Sequence, residues 1–71
     1  MKYLGSVKTL KEALMQGEII AKESGCAFVY EKALCGKMGK RRVCYRGWLD
    51  MDIKQPIVMS IYEWRTLKKG V

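Results

Sequence analysis

Two Ser/Thr-x-x-Glu boxes constrain the fold of this chain more than any other feature. They are Thr9-Leu10-Lys11-Glu12 and Ser60-Ile61-Tyr62-Glu63, and each leads into apolar residues at helical spacing. In such a box the hydroxyl accepts a hydrogen bond from the backbone amide three residues on, and the carboxylate reaches back to the amide of the cap residue. Between the boxes lies a stretch rich in strand formers. Helices bracketing strands predict an α+β fold: a small antiparallel sheet of three or four strands with an N-terminal and a C-terminal helix. With 71 residues, the chain is expected to form a single domain over 1–71. A chain of this size buries only roughly 60% of its unfolded surface, so its stability is marginal without a partner or a cross-link.

Val7, Leu10, Leu14 and Ala21 recur at helical spacing, with Ala13 and Ile20 widening the stripe. Thr9 is the expected cap, and Ser6 is an alternative. Gly17 is the weak point. The favoured reading ends the helix at about residue 16 and starts a strand within residues 18–24, with Gly-Glu-Ile-Ile-Ala as its entry. The alternative runs the helix on to Ser24, with Gly25 as a left-handed C-cap. Ala27-Phe28-Val29-Tyr30 then reads as a strand with Phe28 and Tyr30 on one face and Val29 on the other. Arg42 to Leu49 reads as its hairpin partner: Val43, Tyr45 and Leu49 face one side, and Arg42, Cys44, Arg46 and Trp48 the other. Cys-Gly-Lys-Met-Gly-Lys forms the tip. Asp50 and Asp52 are expected in a turn, capping backbone amides. Pro56 opens a third short strand, Ile57-Val58-Met59. The closing helix carries Ile61, Trp64 and Leu67 inward, places Lys68 and Lys69 at its C-terminal end, where they complement the dipole, and stops at Gly70.

Charge points to function. The chain carries fourteen Lys and Arg against seven Asp and Glu, a net +7. Five of the ten residues from 37 to 46 are basic and none is acidic; without them the excess falls to +2. The candidate site is therefore Lys37, Lys40, Arg41, Arg42 and Arg46, with Tyr45 and Trp48 as aromatic neighbours. Guanidinium and ammonium groups grip phosphates, and an exposed ring stacks on a base. The expected partner is nucleic acid or an acidic protein surface.

Other classes are poorly served. The chain has no His, the commonest general base and metal ligand. It has no phosphate-binding Gly-rich loop and no clustered carboxylates, so an enzyme, a bound metal and a cofactor are not expected. Cys26, Cys35 and Cys44 lack paired Cys-x-x-Cys spacing and read as unpaired core or strand thiols in a reducing cytoplasm. No apolar run approaches a membrane span, so no membrane partner is expected. Marginal size and a short edge strand after Pro56 favour a homodimer, with Trp48 or Trp64 buried in it.

One resemblance adds to this reading. Thr-Leu-Lys-Glu-Ala-Leu, Gly17, Ile19-Ile20-Ala21-Lys22 and the closing Ser-Ile-Tyr-Glu-Trp resemble the layout of short phage-encoded accessory proteins, among them the Thoeris anti-defence family that sequesters cyclic nucleotide signals. Glu12-Ala13-Leu14, Gly17 and Glu63-Trp64 carry the resemblance; the Arg-rich hairpin lies outside it. It implies a phage or mobile-element accessory protein that binds a host protein or sequesters a small nucleotide.

Overall fold

The computed structural model describes residues 1–70. The chain forms strand β1 (Lys2–Val7), helix α1 (Leu10–Ser24), strands β2 (Ala27–Cys35), β3 (Arg42–Asp50) and β4 (Val58–Ser60), and helix α2 (Ile61–Lys69). The expected α+β class holds. The order does not: a strand, not a helix, comes first. The sheet runs β1-β3-β2-β4 and is mixed, because β4 lies parallel to β2 while the other two pairings are antiparallel. β1 escaped the periodicity because its pairing slips between Tyr3 and Gly5, which breaks the alternation a strand is read from. Its partner supplies the order: Gly5 lies opposite Gly47 and Val7 opposite Tyr45.

α1 passes straight through Gly17, which overturns the reading of a strand at 18–24. Thr9 caps it, accepting from the Glu12 amide at 3.1 Å, and Gly25 ends it in the left-handed region (φ 70°). Glycine survives mid-helix for a packing reason. Ala13, Gly17 and Ala21 form a buried stripe four residues apart, small enough to let the helix approach the sheet. Phe28 projects from β2 into that approach, with Gly17 against one part of its ring and Gly47 of β3 against another. Phe28 is 4% exposed, a burial that stabilises by about 2–3 kcal/mol.

The opposite face carries a second cluster: Ala27, Val29, Met59 and Ile61, with Ile53 and Trp64 packed on it. α2 covers this cluster by lying over β2 and β4. Its capping box is complete, with Ser60 accepting from the Glu63 amide and Glu63 accepting from the Ser60 amide. The same face remains uncovered by α2 over β3 and β1.

Candidate functional site

β2 and β3 form a nine-residue antiparallel hairpin closed by residues 36–41. The expected faces of β3 are correct. Gly36 and Gly39 both take positive φ, 112° and 88°. Gly36 is also sterically required, since a Cβ there would lie 2.8 Å from the Lys40 carbonyl oxygen. The Lys40 amide donates to the Lys37 carbonyl at 2.9 Å, which turns the tip back on itself. Lys37, Lys40 and Arg41 therefore stand exposed on a tight loop.

Arg42, Arg46 and Trp48 lie on alternate residues of β3 and share the uncovered face. Both arginines are exposed and Trp48 is half-buried. Tyr45 points to the other face, half-buried on the α1 side and opposite Val7, and does not join them. A residue the periodicity missed lies beside Trp48 instead. Tyr3 of β1 lies opposite Trp48, with ring centroids 5.6 Å apart and planes tilted by 55°. It is 53% exposed. Tyr3, Arg46 and Trp48 line a recess of about 610 Å³ that runs to Cys35 and Gly36.

The ion pairs among the described residues are Arg65–Glu31 at 3.7 Å and Lys68–Asp50 at 3.4 Å, both made by α2. Glu31 lies opposite Arg46 on the neighbouring strand, yet its carboxylate is taken by Arg65. Lys37, Lys40, Arg41, Arg42 and Arg46 are thus all unpaired among the described residues. Five neighbouring like charges without counter-ions repel one another, and an anion relieves that repulsion.

The cysteine expectation needs correction. Cys35 and Cys44 form a disulfide, and Cys26 alone is free. Cys35 lies opposite Arg42 and Cys44 opposite Ala33, so the pair is diagonal on one face with Cα atoms 5.8 Å apart, inside the range a disulfide spans. Linear spacing along the sequence carries no trace of this register. Among the described residues no His, Cys, Asp or Glu cluster of metal-binding size occurs, and no helix is long and apolar enough to cross a membrane.

At the end of the same face that α2 covers, Asp50 ends β3 almost fully buried at 3% exposure. It accepts from Trp64 Nε1 at 2.7 Å and from the Asp52 amide at 3.0 Å, the latter fulfilling the expected turn. Burial pushes its carboxyl up, but the bonds from Trp64, Asp52 and Lys68 outweigh this and hold it below the usual carboxylate range. Lys68 also lies 5.8 Å from the Trp64 ring centroid. This trio locks α2 to the sheet and leaves the other end of the face free.

No protein-family model, curated protein or solved structure matches the chain.

Proposed function

We propose that the protein binds nucleic acid on the open face of β1 and β3, with unpaired bases stacking on Trp48 and Tyr3 and phosphates held by Arg42, Arg46 and the loop cations. One observation carries this reading: the unpaired arginines and the aromatic pair share the part of one face, over β1 and β3, that α2 leaves uncovered. A flat sheet face with adjacent rings suits bases that are free to splay out, so single strands or loops are the preferred targets. A twofold dimer belongs to the same proposal. Among the described residues β1 is an edge strand with no neighbour on its outer side, and Tyr3 and Leu4 on it are exposed; pairing two copies there would join their basic faces.

The test is binding of a fluorescent oligothymidylate at several salt concentrations. Arg41→Ala combined with Arg42→Ala should weaken binding and lower the slope of log affinity against log salt by about 1.4, the expectation for two lost single-strand phosphate contacts. Trp48→Ala should cost about 1–3 kcal/mol with little change in slope. Unchanged affinity and slope in the double variant would remove the hairpin from the site.

A protein partner is the second reading. Met15 and Ile19 stand four residues apart on the outer side of α1, 57% and 56% exposed. Affinity purification after nuclease treatment separates the two readings. A stoichiometric protein partner whose capture is lost with Met15→Lys and Ile19→Lys would favour the second.

A further inference from the structure

We infer that the end of the sheet, between the β1–α1 turn and the hairpin tip, is a binding site for the terminal phosphate monoester of a nucleic-acid strand; this deepens the nucleic-acid reading and rests on it. A recess of about 500 Å³ opens there. Three separate segments bring cations to it: Lys8 from the turn before α1, Lys40 from the hairpin loop and Arg42 from the start of β3. No Asp or Glu lines it, and none of the three cations is ion-paired among the described residues. The hydroxyl residue Ser6 also lines the recess.

The loop is built to keep this shape. Gly36 tolerates no side chain against the Lys40 carbonyl, and the Cys35–Cys44 disulfide ties the two strands together at the wall of the recess. The backbone that carries Lys40 is therefore fixed against Gly36 and Lys37.

Position and charge choose the ligand. The recess and the aromatic groove share Cys35 and Gly36 as a common boundary. A strand stacked on Trp48 and Tyr3 and passing Arg46 would reach the recess next. Trp48 and Arg42 are six residues apart on one strand, about 20 Å, which is room for a few nucleotides. A phosphate monoester carries about −1.5 to −2 charge near neutral pH, against a single charge on an internal diester. Coulomb attraction scales with that charge, so three cations lining one recess discriminate in favour of the end of the strand. An internal phosphate passing the aromatic groove meets Arg46 alone.

The experiment compares one oligothymidylate in three forms at low salt: 5′-phosphorylated, 3′-phosphorylated and unphosphorylated. One phosphorylated form should bind about tenfold tighter than the unphosphorylated strand, equivalent to 1.4 kcal/mol. Lys8→Gln should erase most of that difference, with circular dichroism confirming the fold. Equal affinity for all three forms would overturn the site while leaving the nucleic-acid reading in place. If no oligonucleotide binds, the nucleic-acid reading fails, and pyrophosphate titrated into the labelled protein decides the anion site alone. Saturable amide shifts at Lys8, Gly36 and Arg42 would then support an anion site, and their absence would overturn it.

Discussion

Replacing Asp50 tests the packing of the last helix most sharply, because one buried carboxylate binds Trp64 and Lys68 of that helix to the end of β3. Its side chain is 4% exposed and serves Trp64 Nε1 and the Asp52 amide together. Asp50→Ala leaves both donors without a partner. A hydrogen bond to a charged group contributes about 1.5–3 kcal/mol. The Lys68 ion pair adds less than about 1 kcal/mol, because the lysine side chain is 42% exposed and screened. Half-buried Trp64 recovers some water, so the expected loss is about 3 kcal/mol, or roughly 12–24 °C in Tm for a domain of this size. Asp50→Asn keeps one acceptor oxygen and turns an amine towards the other donor, so its loss should be about half as large. Urea unfolding followed by circular dichroism measures all three proteins. The pH dependence separates the charge from the shape. The folded carboxyl titrates below its unfolded counterpart, so its contribution is complete above the unfolded pKa of about 3.9 and is lost as pH falls through the folded value. The gap between wild type and Asp50→Asn should therefore be widest at neutral pH, begin to narrow near the unfolded pKa of about 3.9 and go on narrowing as pH falls through the folded value. A gap that is constant with pH, or an alanine variant within about 0.5 kcal/mol of wild type, would refute the reasoning.

Two further predictions address packing and assembly. Gly17→Ala should destabilise the protein by about 1 kcal/mol although alanine is the better helix former: the gain of roughly 1 kcal/mol in propensity is outweighed by overpacking of about 1–3 kcal/mol. The new Cβ would sit 2.5 Å from Phe28 Cδ1, and the ring cannot retreat because Gly47 adjoins it elsewhere; a higher melting temperature in the variant would contradict this. Light scattering at micromolar concentration should give twice the 8.2 kDa chain mass, and Leu4→Pro on the free edge of β1 should reduce it to the monomer; a monomer mass independent of concentration would sink the dimer.

Features governed by near neighbours were readable along the chain. The caps at Thr9 and Ser60 each span only four residues, and the faces of β3 follow from simple alternation. The basic hairpin, with Arg42, Arg46 and Trp48 on one face, was legible for the same reason. Other features belong to the tertiary structure, because their partners are distant in sequence. β1 exists as a strand because β3, some forty residues on, pairs with it. The helix crosses Gly17 because the ring of Phe28 needs the space a side chain would occupy. β4 runs parallel to β2 at a three-residue edge that no local pattern orients. The disulfide, the Tyr3–Trp48 pair and the burial of Asp50 each depend on register between strands or on where α2 lands. Spacing along a chain records which residues share a face, whereas which faces meet is decided by the long-range pairing that buries Phe28 on one side and Val29 on the other.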